Sequence, residues 1–78
     1  MAMRIRDIRI RDDTFIRVQE GRRGDIEMRV WIERDGMSVS TRAGLYCPVG
    51  KVDDCVRAIQ ETKEDIQRKM ESRNDNRQ

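Results

Sequence analysis

The chain lacks the residues that usually form a metal site or a catalytic centre. Its 78 residues include no histidine, two cysteines, one proline and one each of phenylalanine, tyrosine and tryptophan. Without histidine and without a Cys-x-x-Cys pair, a zinc site is not expected. Glycine-rich phosphate loops and nucleophile–base pairs are missing as well. We therefore expect no enzyme activity, no catalytic residue, no metal and no cofactor.

Long apolar runs are also missing from the sequence. This argues against a signal peptide and a membrane span, so we expect an intracellular protein with no membrane partner. In a reducing compartment, Cys47 and Cys55 are expected to remain free thiols that pack as small hydrophobic side chains. A single disulfide between them is the alternative.

Material for a hydrophobic core is scarce, because 36% of the residues are apolar and 41% are charged. A chain of this length buries only about 60% of the surface that its unfolded form exposes. Small domains with so little core usually gain stability from disulfides, metals or a partner subunit. We therefore predict a homo-oligomer, with a homodimer as its simplest form.

The positive charge is carried mainly by arginine. Of the 17 cationic residues only three are lysines, and all ten that precede residue 48 are arginines. The guanidinium group is a planar fork that suits phosphate oxygens and stacks on rings. A net charge of +2 is too small for a polycation, so any basic surface is predicted to be local and N-terminal.

Alternation of apolar and polar residues predicts strands over the first two thirds of the chain. Two strands and their turns are read from "TFIRVQEGRRGDIEMRVWIERDG", in which Asp-Gly indicates a tight hairpin. Residues 37–47 are predicted as two short strands broken near Thr41. Residues 1–13 are predicted as a basic arm or an extra edge strand, with a bulge near Asp7.

After Pro48 and Gly50 the apolar period changes from two to 3.6, which predicts a helix beginning between residues 49 and 52. The fold class is therefore α+β: a twisted four-stranded antiparallel sheet (ββββ) followed by one long amphipathic C-terminal helix. The helix is expected to pack on the apolar face of the sheet as a second layer. The domain is placed at residues 14–72, and residues 73–78 are predicted as a frayed tail.

The polar side of the predicted sheet combines arginines with aromatic rings, a pattern typical of single-stranded nucleic-acid binding. Guanidinium groups meet phosphates, and rings stack on unpaired bases. The predicted nucleic-acid-binding residues, including two in the first turn, are Phe15, Arg17, Arg22, Arg23, Arg29, Trp31, Arg42 and Tyr46. Duplex DNA and RNA are further candidate ligands.

Other interpretations of these residues stay open at this point. Trp31 can cover a second small cluster under the N-terminal arm, or anchor a partner protein. Arg22 and Arg23 can be solvated turn residues. The same face then serves a protein-interaction module or an RNA-binding regulator.

Apolar positions along the helix follow the spacing of a coiled-coil seam, with Lys63 at one core position. The first half of this seam can pack on the chain's own sheet, and the second half then needs a second copy. The predicted dimerisation residues are Val52, Val56, Ile59, Ile66 and Met70.

Two segments, "FIRVQEGRRGDIEMRVWIERDG" and "STRAGLYCPVGKVDDCVRAIQ", resemble the positive cofactor four family of transcriptional coactivators over roughly residues 14–62. The second is similar to the family's Arg-x-Gly turn and strand, which precede a Pro-containing helix start. The resemblance implies a curved four-stranded sheet and a long helix. It also implies a homodimer that binds single-stranded DNA in transcription, replication or repair, with the transcription machinery as a further candidate partner.

By position, the resemblance assigns the family's Arg-x-Gly arginine to Arg42 and its strand arginine and aromatic to Arg29 and Trp31. The contact turn corresponds to residues 21–24. An arginine stands where the family has a turn aromatic, and Val52 replaces its helix tryptophan. The Ser-rich and Lys-rich extension of eukaryotic members is missing, so the chain resembles the short bacterial or phage members.

Overall fold

A computed structural model describes residues 4–75 of the chain, with side chains through residue 72. Four strands precede a short 3₁₀ turn and a helix. Their bounds are β1 Arg6–Arg11, β2 Thr14–Glu20, β3 Ile26–Arg34, β4 Met37–Cys47, the 3₁₀ turn Val49–Lys51 and α1 Val52–Asp75.

The strands form one antiparallel sheet in the order β1-β2-β3-β4, so each strand pairs with its neighbour in the sequence. A four-stranded antiparallel sheet followed by one C-terminal helix confirms the predicted α+β fold class. The turn between β3 and β4 has the predicted Asp-Gly chemistry. Asp35 and Gly36 both have positive φ angles, 52° and 77°, as a type I′ hairpin turn requires.

Residues 6–11 form a full edge strand, which resolves the choice between an arm and a strand for this part of the N-terminal segment. The prediction of a bulge near Asp7 was wrong. Asp7 pairs regularly with Arg17, and the irregularity lies between Arg9 and Arg11. The shift follows from the turn, because the chain must reverse immediately after Arg11 into β2.

Residues 37–47 form one strand of 11 residues, so the prediction of two short strands was wrong. The pairing shifts between Arg29 and Trp31, whose partners on β4 are Gly44 and Ser40. The extra residues around Thr41 are absorbed as a bulge instead of ending the strand. Gly44 permits close pairing beyond the bulge, because a Cβ there would lie 2.7 Å from a backbone oxygen on β3.

Helix α1 begins where the sequence predicted, after the 3₁₀ turn, with Asp53 and Asp54 in its first turn. It continues through Asp75, past the predicted domain boundary at residue 72, and residues 76–78 of the predicted tail lie outside the described part. Among residues 4–75, no helix has the length and apolar character needed to cross a bilayer.

The prediction that α1 packs on the sheet was wrong. Its only extensive neighbour within residues 4–75 is the 3₁₀ turn, and along residues 52–72 every side chain except Val52 is exposed. The amphipathic pattern identified the apolar face of the helix correctly. The orientation of that face depends on the direction in which the backbone leaves β4. The spacing of apolar residues does not determine this direction.

Very little apolar surface is buried as a result. Among the described residues, only two hydrophobic side chains are buried: Phe15, which is 4% exposed, and Cys47, which is 7% exposed. The Cα radius of gyration is 16.6 Å, whereas a compact chain of this length has about 11.5 Å. The single chain is therefore a sheet and an extended helix without a common core.

Candidate nucleic-acid interface

Strand pairing brings arginines and aromatic rings from all four strands onto one side of the sheet. Phe15 pairs with Trp31 and with Arg9, while Arg17 pairs with Arg29, and Glu27 pairs with Tyr46. We call this surface the Arg/aromatic face. It is defined by Arg9, Phe15, Arg17, Arg29, Trp31 and Tyr46.

The centre of the Arg/aromatic face is a closed cluster around the most buried side chain, Phe15. The rings of Phe15 and Trp31 are nearly parallel, with centroids 6.2 Å apart. The guanidinium carbon of Arg17 lies 4.4 Å from the Trp31 ring centroid and 5.3 Å from that of Phe15. Trp31 is half-buried, and its Nε1 is buried without a hydrogen-bond partner in the described structure.

A carboxylate on β1 holds Arg17 in this position. Arg17 donates two hydrogen bonds to Asp7, at 2.9 and 3.1 Å. This bidentate pairing lowers the pKa of Asp7 and raises the pKa of Arg17. The indole therefore faces the polar side of the sheet, as predicted, but a fixed guanidinium covers it.

Arg9 completes the closed cluster, although it was not among the predicted nucleic-acid-binding residues. Its guanidinium lies 5.5 Å from the Phe15 ring centroid and pairs with Glu33. The usable signal was the alternation of "DIRIR", which sets Arg9 opposite Phe15 once residues 6–11 are taken as a strand. These contacts match the alternative in which Trp31 belongs to a small cluster under the N-terminal segment.

A second network lies towards the turn between β2 and β3. Arg29 donates to Glu27 at 2.9 Å and to the Tyr46 hydroxyl at 3.1 Å, and its guanidinium lies 5.8 Å from the Tyr46 ring centroid. Hydrogen bonds from Arg29 and then Gln19 lower the pKa of Glu27, and the bond to Glu27 raises the pKa of Arg29. The guanidinium of Arg29 is therefore already hydrogen-bonded to neighbours on its own sheet.

The turn end of the face is open. Tyr46 is 55% exposed and lines a cleft of about 740 Å³, whose other lining residues are Gln19, Glu20, Arg22, Arg23, Asp25 and Glu27. Arg22 and Arg23 are exposed, and among the side chains of residues 4–72 neither has a salt-bridge partner. This end therefore combines an accessible tyrosine ring with two exposed guanidinium groups that have no salt-bridge partner among the described side chains.

Arg42 does not join either network. It lies in the bulge of β4, opposite neither a ring nor a carboxylate, and its side chain is exposed. The structure thus brings together Phe15, Arg17 and Trp31 at the centre, and Arg29 with Tyr46 at the turn end.

The predicted dimerisation residues lie along α1 and, apart from half-buried Val52, are exposed. The exposed fractions are 46% for Val56, 63% for Ile59, 52% for Ile66 and 58% for Met70. They form one side of a helix that makes no extensive contact with the sheet. The positions suit an intermolecular contact.

Among the described residues, no cluster of three or more metal-binding side chains occurs. Comparison with known proteins finds no matching family model, no similar curated protein and no similar solved structure. The resemblance to the positive cofactor four family therefore remains a prediction from the sequence pattern.

Proposed function

We propose that the protein is a non-enzymatic, homodimeric single-stranded DNA-binding protein with little sequence preference. The observation that carries the proposal is the open end of the Arg/aromatic face, where Tyr46 stands exposed beside Arg22 and Arg23. A base stacks on the tyrosine ring, and the two guanidinium groups hold the adjoining phosphates. The family resemblance supports a role in transcription, replication or repair.

The closed cluster plays a different part in this proposal. A base cannot reach the Trp31 ring while Arg17 lies 4.4 Å from its centroid. Arg17 itself offers a planar, cationic surface on which a base can stack. The bound DNA strand therefore runs from the turn end across the guanidinium of Arg17. Trp31 packs against the side of that guanidinium that faces the sheet.

A duplex is a poorer ligand for such a surface. Its base faces are stacked inside the helix, so only the phosphate contacts remain available. Stacking contributes about 1–3 kcal/mol per base, which corresponds to roughly a 5- to 150-fold preference for single strands for each stacked base. The proposal thus predicts selectivity by strandedness.

The homodimer in this proposal is supported by exposed surface. The chain has 7323 Å² of accessible surface, whereas a folded monomer of 9.3 kDa has about 5,000 Å². The excess is roughly 2,300 Å² per chain, and obligate dimers bury about 2,000–5,000 Å² in total. Burial of this excess surface on both chains of a dimer would fall within the range for obligate dimers.

Two apolar surfaces provide the area for this contact. One is the seam on α1. The other is the aliphatic face of the sheet, opposite the Arg/aromatic face, where pairing aligns side chains from all four strands. Its members are Ile8, Ile16, Val18, Met28, Val30, Ile32, Val39 and Leu45. A second copy supplies a matching helix and a matching sheet face, so the contact is self-complementary.

Titration of oligo-dT against a duplex of equal length tests the function. We expect Tyr46→Ala to weaken oligo-dT binding by about 5- to 150-fold, the value of one lost stacking contact. The double variant Arg22→Ala/Arg23→Ala should weaken binding to both ligands. Equal affinity of the wild-type protein for oligo-dT and duplex would contradict the stacking component.

The matched control removes two arginines from another surface. Arg57→Ala/Arg68→Ala makes the same change in charge on α1, where both side chains are exposed and face aspartates. Binding should stay within about twofold of wild type, because screening limits the influence of distant charges to about 10 Å. A loss equal to that of the Arg22/Arg23 variant would show that binding depends on net charge alone.

Salt dependence and competition separate the remaining alternatives. For about six phosphate contacts per site, the slope of log K against log salt should be near −4. An RNA oligomer that competes more strongly than DNA would indicate an RNA-binding regulator. The absence of any nucleic-acid binding, with a stable dimer, would indicate a protein-interaction module.

A further inference from the structure

Two thiols meet where the helix leaves the sheet. Cys47 is the last residue of β4, and Cys55 lies in the first turn of α1. Their Sγ atoms are 3.5 Å apart, and the Cys47 Sγ lies at the same distance from the carbonyl oxygen of Pro48. Both cysteines are free, Cys47 being buried and Cys55 exposed.

We propose that Cys47 and Cys55 form a reversible intramolecular disulfide by exchange with a small-molecule disulfide, and that this bond fixes the helix to the end of β4. The proposal is independent of nucleic-acid binding. It requires the two sulfurs to approach by about 1.5 Å to reach bonding distance.

Exposure sets the order of the exchange. The thiolate of Cys55 attacks one sulfur of the small disulfide, forms a mixed disulfide and releases one thiol. Cys47 then loses its proton to solvent and attacks the Cys55 Sγ, which releases the second thiol. The two electrons from the protein thiols reduce the small disulfide, and the released thiolates take up two protons.

The environment of Cys47 supports its role as the second nucleophile. The hydrogen bond with Cys55, together with burial, raises the pKa of the Cys47 thiol. A buried thiol with a raised pKa is a poor first attacker in solution. It reacts once a mixed disulfide is held beside it, because the second step is intramolecular.

The bond would act at the connection between β4 and α1, residues 48–51. Within residues 4–75, α1 has no extensive contact with any strand, so its direction is set mainly by residues 48–51. Cys55 lies at the edge of the seam, beside Val52 and away from its central positions. Oxidation therefore restricts the helix direction without removing an apolar side chain from the seam.

Equilibration of the full chain with oxidised and reduced glutathione tests the proposal. Acid quenching, alkylation with N-ethylmaleimide and intact mass measurement distinguish open, mixed and closed forms. We expect the wild-type protein to pass to the closed form. Cys47→Ser should stop at the glutathione mixed disulfide, whereas Cys55→Ser, which keeps only the buried thiol, should stay largely unmodified. Persistence of mixed disulfides in the wild type, or a majority of disulfide-linked dimers, would overturn the proposal.

A comparison with the unfolded chain shows whether the fold arranges the pair. The cysteines are close in sequence, so a disulfide can also close in concentrated urea. Preorganisation predicts that the effective concentration of one thiol for the other is at least about tenfold higher in the native protein. Equal values in both states would refute the inference, and this test needs no variant.

Discussion

Replacement of Ile59 by alanine tests the proposed dimer seam most directly. Ile59 is 63% exposed in the single chain, so its truncation leaves no cavity in a monomer. Burial of an isoleucine side chain contributes about 1.5–3 kcal/mol. A symmetric dimer loses this contribution twice, about 3–6 kcal/mol, so its dissociation constant should rise by about 10²- to 10⁴-fold.

Sedimentation velocity over a concentration series measures this dissociation constant. Glu61→Ala is the control, because Glu61 lies on the opposite side of the same helix from the seam and its side chain is exposed. For the control, we expect the dissociation constant of the dimer to change by less than about threefold, which is well under 1.4 kcal/mol. Ile59→Met, which keeps the side-chain volume, should restore most of the affinity. An Ile59→Ala dimer as tight as wild type would refute the proposed seam.

Three further predictions concern the sheet. Gly44→Ala should destabilise the fold by about 1–3 kcal/mol, because a Cβ there meets backbone atoms, while Gly50→Ala, with open space around it, should change the melting temperature little. Lowering the pH should destabilise the fold. The pKa values of Asp7 and Glu27 are depressed in the folded state, so their contribution is present above the unfolded values and is lost as the pH falls through the folded ones. In an acid titration followed by circular dichroism, the double variant Asp7→Asn/Glu27→Gln should lose less of its stability between neutral and low pH than the wild type does. Trp31→Ala should lower the melting temperature while leaving the affinity for oligo-dT close to that of the wild type. A large loss of affinity at an unchanged melting temperature would show that bases stack on the indole directly.

Local chemistry made much of the sheet predictable. Alternation sorted Phe15, Trp31 and Tyr46 from the aliphatic side chains, and each strand pairs with its sequence neighbour as short turns require. The Asp35–Gly36 turn followed from the positive φ angles of a tight hairpin. These features depend on residues close together in the chain.

Features that depend on distant residues were not predictable in the same way. The burial of Trp31 under Arg17 requires Asp7 on β1 to hold the guanidinium, and alternation alone did not decide whether β1 existed. The helix seam was identified by its period, but its distance from the sheet depends on the backbone path through residues 48–51. Periodicity identifies an apolar face and leaves its partner open.

Neighbour-only strand pairing has a consequence for how the protein folds. Each hairpin closes a short loop, so the entropy lost in forming the sheet is small and folding is fast. The sheet can therefore assemble within a single chain, whereas burial of the helix seam waits for an encounter between two chains. Refolding should accordingly show a first phase whose rate is independent of protein concentration and a second whose rate increases with it.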